Sequence, residues 1–536
     1  MLLTSCLDEY SKGQIEEAEA YTSADEIERD LVGDLYNYIG GSAPSQGLQG
    51  TIRGVYDWNS ITTDEQMMPV RGADWDDGGF WRRLRNHRWT ASDEELNDTW
   101  KYLYKVIALC NRSLYFIDRY RYRLVLTPDQ YERFTAEVRG LRAMFYFYAM
   151  DMFGRIPLVT DPGTPLTEIR QSERSEVFRF IFDELQQVAP LLPDESSNRL
   201  GNYYGRFTRP VAYFLLAKLA LNAEVYVDDD WTDGVRPDGR KIPFSVGDDI
   251  FNAWQTTLHY CTSIAESAGM YGLEEDYQTS FSIHNETSSE NIFVIPMDNT
   301  LYANRFNYIF RSLHSAHGSA LGWGTENGTC ATVSTMQAYG IYEDEPRLRN
   351  TEAIDTRFYY NFHADTVYCN DQLVDDGYGN PLVYHPLYVA EDLTGTIYER
   401  NGGARMGKYE ADPTAYEDGT LQNNDIVLFR YADVLLMMAE AKVRSGESGQ
   451  DELDQVRNRV FMPSRPCTLD NLLSERLLEL MWEGWRRNDL IRFGRFTEPY
   501  DNRTGAIDDA TGFTTVFPIP ADVLHLNPNL TQNPGY

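Results

Sequence analysis

The 536 residues include 82 acidic and 48 basic side chains, a formal net charge of −34. An excess of that size repels a phosphate backbone, so the composition argues against nucleic acid as a partner. With 42% hydrophobic and 24% charged residues the chain has a globular composition and length enough for a large core. No stretch approaches the ~20 consecutive apolar residues of a membrane-spanning helix. Six scattered cysteines, with no C-x-x-C pair and no His/Cys cluster at zinc spacing, give no reason to expect a disulfide scaffold, a metal or a cofactor.

The chain opens Leu3-Thr4-Ser5-Cys6, an apolar residue, two small ones and a cysteine, which resembles a bacterial lipobox. The small residues let a peptidase reach the bond before the thiol that receives the lipid. Residues 1–6 are therefore read as the remnant of a signal ending at a lipidated Cys6, with most of the upstream regions missing, and residues 7–536 as one anchored domain. Acidic residues soon after Cys6 resemble an export signal of surface-exposed lipoproteins. Ser23 ahead of Asp25 and Glu26, with Ile27, Leu31, Leu35 and Ile39 every fourth residue, predicts a first helix. Residues 40–95 lose that rhythm and read as long surface loops rich in Gly, Trp, Asp and Arg. Helical spacing returns over 100–119, 131–153, 175–192, 208–226 and 251–270. Bulky and small faces alternate there, as in stacked helix hairpins of the tetratricopeptide type. Residues 275–420 are irregular, with strand-like pieces at 291–296 and 426–429 nearby, and helices resume at 431–445, 451–461 and 470–487.

Four body segments and the lipobox, in order, resemble one family. They are RGLRAMFYFYAMDMFGRIP at 139–157, DIVLFRYADVLLMMAE at 425–440, LELMWEGWRRNDLIRFGRF at 478–496, and an ending in Phe517-Pro518-Ile519-Pro520 and Leu530-Thr531-Gln532-Asn533-Pro534-Gly535-Tyr536. Across nearly its whole length the chain is similar to the SusD/RagB-type outer-membrane nutrient-binding lipoproteins. The resemblance implies an all-α fold of about four tetratricopeptide-like hairpins, placed here within about 130–270 and 425–490. It also implies long irregular loops, a few short strands, and binding loops within about 40–95 and 275–420. It implies a lipid-anchored, cell-surface protein that captures glycan and passes it to a partner SusC-like TonB-dependent barrel in the outer membrane. Trp482, Trp485 and Phe493 are expected to pack a core, and Arg486, Arg487 and Asp489 to form a buried charge network.

The early loop RGADWDDGGFWRRLRNHRW at 71–89 is the first ligand candidate. A sugar ring has an apolar face and a hydroxyl rim, so its recognition needs an aromatic platform beside carboxylates or guanidinium forks. Trp75 and Trp81 are the candidate platforms, with Arg71, Asp74, Asp76 and Arg82 as polar partners and Trp89 as an inward-packing ring. The middle region 302–327 adds Tyr302, Tyr308, Trp323 and Asn327, placed by analogy of position with the family. His314 and His317 lack a third ligand at metal spacing and read as loop polar residues. The Arg-rich run leaves an acidic and a neutral sugar equally open. H-E-x-x-H, G-x-S-x-G, the phosphate-binding loop and an intact G-x-G-x-x-G are all missing; Gly377-Tyr378-Gly379 and Gly322-Trp323-Gly324 read as loop turns. A non-enzymatic role is therefore expected, with peptide capture as the alternative within the family and glycoside hydrolysis behind it.

Overall fold

The structure is a computed structural model that describes residues 21–536 apart from 122, 124, 268, 269, 344–353, 502 and 504. Cys6 and the lipobox lie outside the described residues. The helical array starts with α1 (Glu94–Arg121) and α2 (Pro128–Phe153). Thr127 fixes the start of α2: its hydroxyl accepts from Gln130 N at 3.2 Å, and Gln130 Oε1 accepts from Thr127 N at 3.0 Å. Proline occupies the first turn of α2, and Gly154, at φ 66°, ends it. There follow α3 (Arg174–Val188), α4 (Arg209–Leu221), α5 (Ala253–Ala265), α6 (Tyr431–Ser445), α7 (Gln450–Arg459), α8 (Leu469–Leu480) and α9 (Arg486–Arg492).

Each helix from α1 to α5 packs on the next, α5 packs on α6, and α6 packs on α7 and α8. This is the stacked-hairpin fold that the alternating helix faces predict, and it begins at Glu94, upstream of the predicted start. Helix α4 is the central one. Its residues are buried almost all round, and small Ala212, Ala217 and Ala220 let its neighbours approach. Among the described residues no helix is long and apolar enough to cross a membrane.

Between α5 and α6 the chain leaves the array and returns through paired strands. Four strands matter here: β1 (Gln66–Met67), β2 (Asn291–Ile295), β3 (Cys330–Ala331) and β4 (Ile426–Arg430). The antiparallel β2–β4 pair, with Ile295 opposite Ile426, is buried along both strands and ties the excursion to α6. The β1–β3 pair sets Gln66 opposite Ala331 and Met67 opposite Cys330. It joins the early loops to the middle region.

Two expectations are corrected. Residues 40–95 are not all surface loop: short helices Val55–Ser60 and Phe80–Arg85 carry Trp58, Phe80, Trp81 and Leu84 inward, and Trp89 is buried beside them. Trp58 meets Phe517 edge-on at 4.9 Å, so the C-terminal segment supplies the core that this stretch lacks locally. Residues 470–487 are not one helix either. Trp482 (φ 69°) and Gly484 (φ 74°) break it between α8 and α9. Left-handed backbone stops a helix, and here it lets Trp482 N–H donate to Glu65 Oε1 at 2.6 Å.

A buried charge network lies under the break. Arg430 reaches Glu290 and Glu479 at 2.7 Å and Glu483 at 2.8 Å, while Arg357 reaches Asp355 and Glu475 at 2.7 Å and Glu479 at 2.8 Å. Arg486 pairs with Asp64 (2.7 Å), Arg487 with Asp151 (2.9 Å), and Asp489 with Arg476 (2.7 Å) and Arg492 (2.8 Å). Trp482 and Trp485 are buried in the core, and Phe493 packs against it.

One turn is held by a glycine for a steric reason. Gly419 sits at φ 81°, where a Cβ would lie 2.8 Å from Trp323 Cδ2. Gly419→Ala is expected to cost about 1–3 kcal/mol through left-handed strain plus displacement of the buried indole. Thermal denaturation checks this; an unchanged midpoint would mean that the indole has room to move.

A candidate ligand-binding cleft

Two pairings assemble the site. The β1–β3 ribbon brings the 68–79 loop against residues 311–329. Val70 then extends the contact, donating its N–H to Glu391 O at 3.0 Å and accepting from Leu393 N at 2.9 Å, which brings in the 385–402 segment. Where the three meet, a cleft of about 640 Å³ is lined by Arg53, Arg71, Asp74, Trp75, Asp77, His314, Glu326, Asn327, Glu399 and Arg400, among others. A second cavity of about 350 Å³ shares His314, Glu399 and Arg400 with it and continues to Asp376, Tyr378 and Ile397. Together they form an open groove with room for an extended ligand.

Trp75 is the aromatic wall. It is half-buried, its Nε1 donates to Glu326 O at 2.9 Å, and its backbone is held at φ 65°. A left-handed non-glycine residue costs on the order of 1–3 kcal/mol, strain that concentrates at binding sites. Gly328 makes the ring's seat, since a Cβ there would meet Trp75 Cε2 at 2.7 Å. At the other end Tyr378 is 75% exposed between Gly377 and Gly379, both at positive φ, and Arg400 stacks on its ring at 4.7 Å.

The polar lining is mixed in sign. Burial raises the Glu326 carboxyl above its ordinary value, with Asp74 and Asp77 adding to the effect. Arg71 is buried, donating Nη1 to Glu399 O (2.9 Å) and Nη2 to Gly402 O (2.8 Å), and burial beside Arg405 brings its pKa down to about 9. Asn327 Oδ1 accepts from Arg405 Nη2 at 2.9 Å, which orients the side chain. Burial, then Arg400, Arg405 and Arg71, depress His314 to about 4, so its imidazole is neutral near pH 7. Carboxylates and guanidinium groups side by side supply acceptors and donors to hydroxyl groups without a dominant charge.

Of the sequence-predicted residues, the groove brings together Arg71, Asp74, Trp75 and Asn327. The others lie outside it. Trp81 is 1% exposed, its ring edge-on to Phe80 at 4.8 Å and its Nε1 bonded to Asp77 Oδ2 at 2.6 Å, so it supports Trp75 from behind. Tyr308 is buried, donating to Gln49 Oε1 at 2.7 Å, and Trp323 is buried against the Gly419 turn. Asp76 and Arg82 pair with each other outside the groove lining. Tyr302 is exposed but lines a different cavity, with Tyr36, Tyr204 and Arg206.

The Arg-rich run is likewise committed elsewhere: Arg83 pairs with Asp93 (2.7 Å), Arg85 with Asp501 (3.1 Å), and Arg88 donates to Gly505 O. Sequence reasoning missed Tyr378, Glu399, Arg400 and Arg53. The one available signal was a tyrosine set between two glycines, which raises a ring off a tight turn.

Stacked helical hairpins that carry an open groove, walled by aromatic rings and hydroxyl-bonding groups, describe a helical-repeat binding protein. Residues 289–536 match the model of the SusD family, and residues 52–221 match a second model described as starch-binding associating with outer membrane. The chain is similar to the SusD family over those residues. It is 24% identical over 522 residues to the starch-binding protein SusD of Bacteroides thetaiotaomicron, covering 92% of this chain and 87% of that one. A SusD superfamily protein from Bacteroides vulgatus shares the fold with a TM-score of 0.72 at 18% identity, covering 96% of this chain and 100% of that one. Surface glycan-binding protein A from Bacteroides thetaiotaomicron, in complex with laminarihexaose, gives a TM-score of 0.67 at 19% identity, covering 96% and 100%.

Proposed function

We propose that the chain is a cell-surface glycan-binding protein that captures an oligo- or polysaccharide in the Trp75–Tyr378 groove and delivers it to a TonB-dependent outer-membrane transporter. The carrying observation is the groove itself: a strained, half-buried Trp75 fixed by its bond to Glu326 O, in a lining of mixed carboxylates and guanidinium groups. A relative that bears the name starch-binding protein supports the class of ligand. With its arginines paired or matched by acids, the groove favours a neutral sugar over an acidic one. Lipidation at Cys6 would hold the protein on the outer membrane, and Cys6→Ala in a full-length precursor is the substitution that removes the anchor. The groove binds and does not cleave, so incubation with the bound glycan releases no new reducing ends.

Sugar stacking on Trp75 is worth about 0.5–1.5 kcal/mol beyond its area burial, by analogy with ring pairs. Trp75→Ala is therefore expected to weaken binding about tenfold, and Tyr378→Ala somewhat less. Affinity electrophoresis against a panel of neutral and acidic polysaccharides, followed by calorimetry on the best ligand, checks this. A peptide library that yields the tighter ligand in the same format, or a Trp75→Ala protein that binds like the wild type, would contradict the reading.

A further inference from the structure

A separate cavity of about 310 Å³ opens between the first turn of α3, the 228–236 loop and the end of α9, and shares no lining residue with the groove. Its lining includes Arg174, Arg236, Asp228, Trp231, Ile491 and Phe496. Arg174 is only 2% exposed, yet its Nε and Nη2 both donate to one backbone carbonyl, Asp228 O, at 3.0 and 2.5 Å. Its guanidinium lies over the Trp231 ring at 4.8 Å, and among the described residues its Nη1 donates no hydrogen bond. Arg236 is more exposed: its Nη1 donates to Arg492 O at 2.9 Å, and among the described residues its other nitrogens donate no hydrogen bond. Among the described residues neither guanidinium has a carboxylate within ion-pair distance.

That is unlike Arg357, Arg430, Arg476 and Arg492, which each meet carboxylates in the interior. Arg174, a buried cation hydrogen-bonded only to a backbone carbonyl, keeps donor capacity for an anion. Burial accordingly lowers both arginine pKa values, that of Arg174 to about 10. Asp228 is the cavity's one carboxylate. Burial raises its pKa, and one of its oxygens is occupied in accepting from Asp230 N at 3.1 Å. Trp231 Nε1, buried in the wall, also lacks a partner. Both guanidinium groups are held by backbone carbonyls, so they are oriented before a ligand arrives. Ile491 and Phe496 add an apolar wall, and the volume falls at the lower end of small-molecule sites, enough for one sugar ring.

We propose that this cavity binds a small oxyanion, free or as a carboxylate or sulfate ester on a body no larger than one sugar ring, between Arg174 and Arg236. The test is calorimetry at fixed ionic strength in the Trp75→Ala background, which weakens the groove's own binding about tenfold. Sodium glucuronate, inorganic sulfate and glucose are titrated separately. Glucuronate is expected to bind, glucose not to bind, and affinity to fall as salt rises. Arg236→Gln and Arg174→Gln are each expected to lose about tenfold or more. Tighter binding of glucuronate than of sulfate assigns the site to a sugar acid, and the reverse assigns it to a free oxyanion; both uphold the proposal. Arg236 is exposed, so its variant folds and decides the matter should Arg174→Gln not fold. Absence of binding by both anions, or unchanged binding in Arg236→Gln, overturns it.

Discussion

Replacing Glu479 with alanine is expected to lower the free energy of unfolding by about 3–5 kcal/mol, the range found when one partner is removed from a buried ion pair. Glu479 is 0% exposed and accepts from Arg430 and Arg357 at 2.7 and 2.8 Å and from Arg459. Those arginines hold its carboxyl well below the ordinary range against the opposing effect of burial. Removing it leaves three guanidinium groups facing a cavity with too few acceptors. The energy lies in the mismatch: a matched network contributes little net stability, but a broken one exposes its full desolvation cost. Glu498→Ala is the control, because that residue is paired with Arg495 at 2.7 Å on the surface and is half exposed. Its removal should change stability by about 0.5 kcal/mol or less. Urea denaturation of the two variants checks the contrast, and equal midpoints would refute the account of the network.

Stability should also peak on the acid side of neutrality and decline toward pH 8. Two sets of buried carboxyls shape the peak, and the imidazoles of His87, His314 and His363, with pKa values lowered by burial, add to the loss on its acid side. Glu440, held by Arg492 and Arg444 against the effect of burial, has its pKa lowered to about 2, and Glu479 is lowered too. Their contribution is present above the unfolded value of ~4.3 and is lost as pH falls through the folded one. Glu65 behaves in the opposite sense. Burial raises it to about 8, with the Trp482 N–H bond opposing, and burial raises Asp425 to about 7. A raised carboxyl stabilises fully below its unfolded value, and that stability disappears as pH climbs through the folded value. Glu65→Gln keeps an oxygen for Trp482 N–H but cannot ionise. It should flatten the decline between pH 5 and 8, by about 2–4 kcal/mol at the alkaline end. Denaturation midpoints across that range test it, and an unchanged slope in the variant would show that Glu65 does not ionise there.

The helices were legible because their apolar spacing is local. Thr127 and Gln130 announce α2, and the small faces of α4 announce close packing. The family resemblance was legible because 425–440 and 478–496 hold a buried strand, a helix and a charge network whose side chains leave little freedom. The groove was half legible. Trp75, Asp74, Arg71 and Asn327 converge, as two loops rich in aromatic and polar residues suggested. Trp81 and Tyr308 could not be told from Trp75 by composition, since exposure is decided by what packs behind a ring. Behind Trp81 lie Phe80 and Arg311, and behind Tyr308 lie Tyr56 and Tyr409. Apart from Phe80, those neighbours come from distant parts of the chain. Tyr378 and Arg400 were hidden for the same reason: a bridge from Val70 to the 391–393 backbone, not any motif, brings them to the groove.

A crystal structure of the chain with the oligosaccharide that binds it tightest tests the central claim most directly. The account predicts a sugar ring against Trp75, hydroxyl groups bonded to Asp74, Glu326 or Asn327, and the chain running past Arg400 toward Tyr378. Sugar bound instead in the Tyr204–Tyr302 cavity, with the Trp75 groove empty, would contradict it.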